Sequence, residues 1–435
     1  MSTAPAVSAE TARHDVKLTV HRSTDQIGGN CIEICAGDHR LILDVGRPLD
    51  APGDATGLLP QTMDLESPAS VLISHPHQDH YGLLEEIPDH WAVYSGDATE
   101  KLIRLTASIT GKTLDRSFRH WRSGEPLAIG PFIITPFLTD HSAFDAFMLL
   151  IDVAGRRILY SGDFRAHGRK SALVERFIAN PPPGIDVLLM EGTNLGSDKS
   201  TTSESELEDA FVPFFRETPG RVFVAWSAQN VDRTVTLYRA AKRADRTLVV
   251  DLYTAEVLEL LADHGRLPRA GMENVKVVIT SAMARMYKRK GMSGFVDRMA
   301  TGGRGISARA LNGTTDRWVI MLRESLMRDY ARSGVVPTSD DAWCWSMWKG
   351  YLGSLGAPLV DWLAAARPVH LHTSGHASPA DLRRFAEAMQ ATRLVPIHSF
   401  TWDSDGSDFP AMCRLRDGEP LLLQGERGEA RSVTP

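Results

Sequence analysis

The order of apolar segments along the chain is the feature that most constrains its fold. In the first 196 residues, short runs rich in β-branched residues, such as 132–138 and 147–153, follow one another with few helical patterns between them. Strands joined without helices favour an antiparallel or mixed sheet, and therefore a core in which one sheet packs on another. From Glu204 onward, strand patterns alternate with long helical patterns, which is typical of βαβ units and a parallel sheet. We predict a last βαβ unit near the C-terminus, with its helix beginning at Ser378.

Length and composition set the class of protein. At about 150 residues per domain, 435 residues indicate two or three domains or one domain with a large insertion. The chain is 43% apolar and has 48 Lys and Arg against 54 Asp and Glu, which excludes wholesale disorder, collagen and coiled coil. No run approaches the roughly 18 apolar residues of a membrane span, and the N-terminus does not resemble a secretory signal. Because four cysteines do not form a disulfide framework, we expect a cytoplasmic protein without a membrane partner.

The segment SHPHQDHYG at 74–82 carries the strongest chemical signal. It follows an apolar strand and contains four candidate ligands, His75, His77, Asp79 and His80. Side chains at the carboxyl end of a strand lie where open sheets commonly bind ligands. Three imidazoles and a carboxylate at this spacing suit zinc, whereas chance histidines in a polar loop would not be expected to follow this pattern. Four candidates exceed what one catalytic ion with a bound water needs, which indicates two neighbouring ions.

This string resembles the H-x-H-x-D-H signature of the metallo-β-lactamase-fold hydrolases. Three further segments, each just after an apolar strand, resemble the family's remaining site positions. His141 in FLTDHSAF resembles the third histidine ligand, and Asp163 in LYSGDF resembles the aspartate that bridges two metal ions. Asp44 in RLILDVG resembles the aspartate that usually supports the site without binding metal. In this order and context, the matches are strong together.

Three later motifs resemble the β-CASP branch of the same family, which includes ribonuclease J and the nuclease subunit of the pre-mRNA cleavage and polyadenylation machinery. They are EGTNLG at 191–196, the Ser-Gly-His that ends at His376, and PIHSF around His398. The resemblance extends from about residue 16 to about residue 425. Ser399 and Phe400 replace the usual Gly and Glu. Because the sequence ends soon afterwards, we expect no counterpart of the additional C-terminal domain of ribonuclease J.

The resemblance implies an α/β fold, a metallo-β-lactamase αββα sandwich into which an α/β β-CASP domain is inserted. We expect the insertion to cover the metal site. The expected organisation is a flexible N-terminus, a first part of the core, the β-CASP insertion and the C-terminal part of the core, at residues 1–15, 16–196, 197–364 and 365–435.

The resemblance also implies two zinc ions and their ligands. The ligands of the first ion are His75, His77 and His141. Those of the second ion are Asp79, His80 and His398, with Asp163 between the two ions. His376 is then the general acid for the leaving oxygen, assisted by Glu191, and a hydroxide activated by both metals attacks the phosphorus. Asp79 is alternatively the base that acts on the attacking water.

A basic segment lies inside the predicted insertion. From Leu261 to Arg332 there are 14 Lys and Arg against 6 Asp and Glu, although the whole chain has a net charge of −6. Such a run is usually a solvated helix face, but above a phosphodiesterase site it favours a channel for nucleic acid. The predicted phosphate or RNA contacts are Ser227, Asn230 and Ser374 from the resemblance, and His372, which alternates toward the site with His370. Three tryptophans fit either base stacking or core packing: Trp343, Trp345 and Trp348.

The leading hypothesis is therefore a zinc-dependent ribonuclease that hydrolyses RNA phosphodiesters as an endonuclease, a 5′-3′ exonuclease or both. A DNA nuclease and a hydrolase of small esters, thioesters or lactams are alternatives on the same metal core. An RNA-binding protein without catalytic activity is a further alternative. The insertion and the His376 motif argue against small substrates, and the complete ligand set argues against an inactive site. RNA is the expected partner, and the sequence leaves open whether the chain forms a homo-oligomer.

Overall fold

The computed structural model describes residues 15–197, 201–402, 409–410 and 412–424. In its first part the strands are β1 (Val16–Arg22), β2 (Cys31–Ala36), β3 (His39–Leu43), β4 (Ser70–Leu72), β5 (Ala92–Ser95), β6 (Phe118–His120), β7 (Leu127–Ile129), β8 (Phe132–Leu138), β9 (Phe147–Val153), β10 (Arg156–Tyr160) and β11 (Val187–Glu191). The helices of this part are α1 (Gln78–Tyr81), α2 (Asp97–Thr110) and α3 (Ser171–Ala179).

In the middle of the chain, strands and helices alternate. The strands are β12 (Val222–Ala225), β13 (Thr247–Val250), β14 (Val275–Ile279), β15 (Gly305–Ser307), β16 (Trp318–Leu322), β17 (Ala342–Trp345) and β18 (Arg367–Val369). The helices are α4 (Glu204–Glu217), α5 (Val231–Arg243), α6 (Leu252–Leu260), α7 (Ser281–Arg289), α8 (Ser293–Ala300), α9 (Glu324–Arg332), α10 (Gly350–Leu355) and α11 (Ala357–Trp362). The last elements are α12 (Pro379–Met389), β19 (Arg393–Ile397) and β20 (Pro420–Leu423).

Two mixed sheets form the first part of the fold. The first has the strand order β20-β1-β2-β3-β4-β5-β6, and the second has the order β19-β11-β10-β9-β8-β7. β1, β2 and β3 pair antiparallel, whereas β3 to β6 pair parallel. In the second sheet β19 pairs parallel with β11, and Ile397 lies opposite Glu191. Mixed sheets are what apolar segments without intervening helices predict, so this expectation is confirmed.

Side-chain alternation along the strands packs the two sheets face to face. In β9, Leu149 and Ile151 belong to a buried cluster shared with β1, β2 and β3 of the other sheet. The intervening residues Met148 and Leu150 belong to a cluster on the outer face, with α3 and α12. Successive strand residues point to opposite faces, so one apolar strand contributes to both layers. Helix α2 packs on the outer face of the first sheet through Ile103, which gives the expected αββα sandwich.

The third sheet is built from the middle of the chain. Its order is β15-β14-β13-β16-β12-β17-β18, and each pairing among these strands is parallel. Each residue of β12 and β13 is buried, as expected where helices cover both faces of a parallel sheet. The prediction of βαβ units here is confirmed. An apolar cluster that joins Leu102 of α2 to Val231 and Leu258 packs this inserted α/β unit against the sandwich.

The last predicted βαβ unit is divided between two sheets. β18 pairs with β17 in the third sheet, whereas β19 pairs with β11 in the second. The prediction that the strands on either side of α12 belong to one βαβ unit was therefore wrong, because periodicity identifies a strand but not the sheet that accepts it. β18 also lies beyond residue 364, and the domain limits given above stay a prediction.

The helices are short. The two longest in the described ranges, α2 and α4, have 14 residues each and are about 21 Å long at 1.5 Å per residue. Within the part of the chain that the structure describes, no helix has both the length and the apolar character needed to cross a bilayer.

Candidate metal centre

Three imidazoles converge at one edge of the sandwich. His75 and His77 follow β4, and His141 follows β8. Nδ1 of His77 lies 3.2 Å from Nε2 of His75 and 3.2 Å from Nε2 of His141. Nitrogen ligands at 2.0–2.1 Å in a tetrahedral arrangement would be separated by about 3.3 Å. The spacing of these nitrogens is therefore that of three ligands around one cation.

The protonation of these imidazoles also suits a cation. His141 Nδ1 donates to the carbonyl of Gly375 at 2.6 Å, so its Nε2 carries a lone pair directed at the other two rings. Burial, followed by the neighbouring histidines, holds the pKa of His75 and of His141 well below its usual value. Burial also lowers the pKa of His77 to about 4. Neutral imidazole is the form that binds metal.

A second group of donors adjoins the first. It consists of Asp79, His80, Asp163 and His398, and one donor atom of each lies within 4.8 Å of the others. Asp163 Oδ2 lies 3.1 Å from His80 Nε2 and 3.7 Å from His75 Nε2, so this carboxylate stands between the two groups. The other oxygen, Asp163 Oδ1, is buried and accepts no hydrogen bond. A buried carboxylate oxygen without a donor is costly unless a cation neutralises it, and the donor set therefore fits a divalent metal ion.

Asp44 supports His80 from behind. Its Oδ2 lies 2.7 Å from His80 Nδ1 and accepts hydrogen bonds from the hydroxyls of Tyr160 at 2.6 Å and Ser74 at 2.8 Å. Burial disfavours the charged ring, but Asp163, Asp44 and Asp79 outweigh it and raise the pKa of His80 well above its usual value. A carboxylate bound to the far nitrogen of a metal-binding histidine fixes the orientation of the ring.

His398 is held in a strained backbone conformation. It follows β19 with φ = 55°, in the left-handed region that non-glycine residues seldom adopt. Its Nδ1 lies 2.8 Å from Thr193 Oγ1, and its amide donates to the carbonyl of Ser23 at 2.7 Å. Nε2 lies 3.4 Å from Asp79 Oδ2. Such strain, about 1–3 kcal/mol, persists where surrounding contacts over-determine it and is concentrated at functional sites.

His376 lies over the second group, next to Glu191. Its Nδ1 is 3.2 Å from Glu191 Oε1 and 3.8 Å from Asp163 Oδ2, and its side chain is 20% exposed. Burial opposes the charged ring, but the carboxylates of Glu191 and Asp163 outweigh it and raise the pKa of His376 to about 9. The Glu191 oxygens also accept the amides of Phe164 and Thr193. A third group of closely spaced donors consists of Asp163, Glu191, His376 and His398. His376 is therefore close enough to the second group to act either as a metal ligand or as a proton donor.

The four residues predicted to contact RNA lie in different surroundings. Ser227 is exposed after β12, and Asn230 caps α5 by accepting the amide of Arg233 at 3.0 Å. Ser374 Oγ accepts the amide of His376 at 3.1 Å, so it belongs to the loop that carries this histidine. His372 Nδ1 lies 3.4 Å from Arg233 Nη1, and burial together with this charge lowers the pKa of His372 to about 3. Contact of these residues with RNA stays a prediction.

The tryptophans and the basic segment differ in how far their side chains are exposed. Trp343 and Trp345 are buried in the core of the inserted unit, whereas Trp348 is 52% exposed. Core packing is therefore the correct interpretation for the first two, and only Trp348 presents its ring to solvent. In the basic segment, Arg285 and Lys288 are exposed on α7, and the nucleic-acid channel stays a prediction.

Sequence reasoning missed several side chains that surround these groups. They are Ser74, Tyr160, Arg165, Thr193, Asn194 and Arg233, and each forms a hydrogen bond within the site or to the loop before α12. Arg165 stands two residues after Asp163, but nothing in a sequence distinguishes a buried arginine from a surface one. Asn194 lies inside the EGTNLG motif, which was the only available signal.

Comparison with known proteins agrees with this geometry. Residues 24–184 match the family model of the metallo-beta-lactamase superfamily. Ribonuclease J of Helicobacter pylori is 26% identical over 254 residues, 55% of this chain and 37% of that protein. Ribonuclease J of Mycobacterium tuberculosis is 26% identical over 417 residues, 89% of this chain and 69% of that protein. The chain thus matches little more than a third of the first of these relatives.

A solved structure shows the same fold over nearly the whole chain. The crystal structure of a protein of unknown function from Enterococcus faecalis V583 superposes with a TM-score of 0.77 at 20% identity, covering 94% of this chain and 100% of that one. At this identity the likeness concerns the fold alone. By sequence, residues 24–184 thus resemble the metallo-β-lactamase superfamily, and the chain resembles ribonuclease J over most of its length.

Proposed function

We propose that this chain is a metal-dependent ribonuclease that hydrolyses phosphodiester bonds in RNA with two bound zinc ions. The observation that carries the proposal is the pair of adjoining donor groups with the Asp163 carboxylate between them, and with His376 and Glu191 beside the second group. The sequence similarity to ribonuclease J supports RNA as the substrate class. Cleavage within the strand, from its 5′ end, or both are compatible with this site.

In this proposal each ion has its own set of ligands. His75, His77 and His141 would hold one ion, and Asp79, His80 and His398 the other, with Asp163 between them. Imidazole and carboxylate ligands suit zinc, a borderline-soft ion. When bound, such a pair of ions would lower the pKa of an attacking water and neutralise charge on the phosphoryl oxygens.

The protein's own contribution to the proposed reaction centres on His376. Because Nδ1 faces Glu191, the proton on Nε2 remains for the leaving oxygen of the sugar. Glu191 keeps the ring in one orientation and favours its protonated form. Asp79, whose Oδ2 faces His398, serves as a metal ligand in this proposal, and action as a base on the attacking water is the alternative role.

The substrate would approach from the side of the inserted unit. Ser227 and Asn230 follow β12, and His372 and Ser374 follow β18, so the four predicted contacts lie after two strands of the third sheet. Carboxyl ends of parallel strands share one edge, where ligands commonly bind. We assign the phosphates of the strand to this edge and the scissile phosphate to the metal pair.

The test combines metal analysis with cleavage assays. Purified protein, His376→Ala, Asp163→Asn and the control His90→Ala, an exposed histidine, are incubated with end-labelled RNA and DNA that carry monophosphate or triphosphate 5′ ends. We expect two zinc ions per chain and RNA cleavage in the wild type and in His90→Ala. Asp163→Asn should lose both metal and cleavage, whereas His376→Ala should keep its metal and cleave more slowly.

Each contrary outcome has a defined meaning. Cleavage of DNA but not RNA would show that the substrate assignment is wrong. Retention of wild-type cleavage by Asp163→Asn would show that the metal centre does not take part in the reaction. Loss of one zinc ion from His376→Ala would make this residue a ligand, in line with the third donor group, instead of a proton donor.

A further inference from the structure

The loop before α12 is held by side chains along its whole length. Five successive backbone carbonyls, those of residues 373–377, each accept a hydrogen bond from a side chain. The donors, in order, are Arg233 at 3.4 Å, Arg165 at 3.2 Å with His167 at 3.0 Å, His141 at 2.6 Å, and Asn194 at 3.0 Å for each of the last two. A loop bound in this way presents His376 in one position.

The loop also has no space in which to shift toward the sandwich. A Cβ on Gly375 would lie 2.4 Å from Ser142 Oγ and 2.9 Å from Ser142 Cβ. Glycine is thus required by the close approach of the loop to the segment that carries His141. The amide of Ala377 donates to the carbonyl of Phe164 at 2.6 Å, which fastens the other end of the loop.

One of the donors, Arg233, comes from the inserted unit. It lies on α5, is fully buried and donates from Nη1 to the carbonyl of Ser346 at 2.9 Å. Its Nη2 lies 3.1 Å from Glu204 Oε1 and donates to the carbonyl of Thr373. A single guanidinium therefore joins β17, the start of α4 and the loop of His376. The planar fork of donors makes this combination possible.

Glu204 connects Arg233 to a second buried arginine. Its Oε1 lies 3.6 Å from Arg165 Nη1, and Arg165 Nη2 pairs with Asp232 Oδ2 of α5 at 2.6 Å. Arg165 Nε lies 3.4 Å from Asp140 Oδ1 on the sandwich side. Two arginines and three carboxylates thus form one buried network between the inserted unit and the sandwich, and both arginines donate to the loop.

We propose that Arg233 is a positioning residue through which the inserted unit sets the place of His376. The part of this inference that concerns catalysis rests on the proposed function. Among the described residues, the side-chain hydrogen bonds of Arg233 all go to residues outside the donor groups. Its removal should therefore displace the proton donor without emptying the metal centre.

The first test needs no substrate. Hydrogen–deuterium exchange of a peptide covering residues 372–378 is measured in the wild type, Arg233→Met and the control Arg221→Met. Arg221 is also buried in the inserted unit, where it pairs with Asp341 at 2.7 Å, and it provides the same loss of a buried arginine elsewhere. We expect exchange in this peptide to be at least about tenfold faster in Arg233→Met than in Arg221→Met. Equal exchange in the two variants would overturn the proposal even if the protein has no ribonuclease activity.

The second test asks whether Arg233 acts through His376. Removing a residue that orients a catalytic group typically lowers activity about 10–100-fold. Arg233→Met should lower kcat for RNA in this range, with metal content unchanged, and should lose this effect when combined with His376→Ala. Full additivity in the double variant would show that Arg233 has only a structural role.

One further variant keeps the test decisive. Arg233→Lys retains the positive charge next to Glu204 but lacks the fork that also reaches Ser346 and Thr373. If Arg233→Met does not fold, Arg233→Lys should show the same faster exchange and lower kcat to a smaller degree. Wild-type exchange and kcat in a folded Arg233→Lys would contradict the inference, and Arg221→Met should match the wild type in kcat.

Discussion

The buried network around Glu204 makes stability depend on pH in a way that can be calculated. Burial would raise the pKa of this carboxyl, but Arg233 and Arg165 outweigh it and lower the pKa to about 2. The ordinary value in an unfolded chain is near 4.3. At 1.36 kcal/mol for each unit of pKa, the difference corresponds to about 3 kcal/mol of stability.

The sign follows from which state binds the proton. A carboxyl whose pKa is depressed in the folded protein contributes its full stability above the unfolded pKa, near 4.3, and loses it as pH falls through about 2. Relative to wild type, Glu204→Gln should lower the free energy of unfolding by about 3 kcal/mol at pH 7 and by about 1.4 kcal/mol at pH 3. Glutamine keeps the shape of the side chain and can still accept from Thr236 Oγ1, so loss of charge dominates the effect.

The measurement is urea unfolding followed by tryptophan fluorescence at several pH values, with both proteins stripped of metal. Glu324→Gln is the control, because Glu324 forms an exposed pair with Arg328 on α9. Loss of such a pair should change stability by about 0.5 kcal/mol or less. A Glu204→Gln effect below about 1 kcal/mol at pH 7, or one that does not diminish toward pH 3, would refute the reasoning.

Three other predictions concern the metal centre. Asp44→Asn removes the charge behind His80 and should weaken metal binding about 10–100-fold, measured by competition with a chelator, whereas the exposed control Asp38→Asn should not. Glu191→Gln should lower the pKa of His376 from about 9, so that the alkaline limb of the plot of kcat against pH moves to lower pH. An alkaline limb that does not move would show that Glu191 does not control the protonation of His376. Chelation should abolish RNA cleavage and lower the melting temperature, and zinc at 1,000 times its Kd should restore about 4 kcal/mol of stability for each ion bound. Restoration by zinc of stability but not of cleavage would show that the metal is structural.

The sequence predicts an element well when its conformation depends only on neighbouring residues. Helix α12 begins at Pro379, directly after the predicted start at Ser378, and buries an apolar stripe of Leu382, Phe385, Ala386 and Met389. A serine cap, proline at the first helical position and an apolar period of 3.6 are properties of a dozen neighbouring residues. The candidate ligands are similar, because each follows an apolar strand whose carboxyl end places it at the same edge of the fold.

Features decided by distant parts of the chain were not predictable in this way. The strand pattern of β18 is correct, yet its partner is β17 and not β19. The side chain of Asn230 caps α5, a role that its position before a helical pattern favours, and its contact with phosphate stays a prediction. Arg165 and Arg233 were overlooked because arginine is mostly exposed, and burial in an ion-pair network depends on three segments meeting.

The candidate metal centre contains the residues that depart most from local conformational rules, and electrostatics explains why the fold tolerates them. Asp44 and His398 both have positive φ, and Asp163 keeps a buried oxygen without a donor. Each feature destabilises the folded chain by about 1–3 kcal/mol when taken alone. A divalent cation bound beside Asp163 would supply the missing partner for the buried oxygen and would lower the repulsion among the carboxylates. Metal binding would then offset these costs, so that folding and metal uptake would be linked. A sequence rule that considers only neighbouring residues therefore cannot account for the backbone of Asp44 and His398.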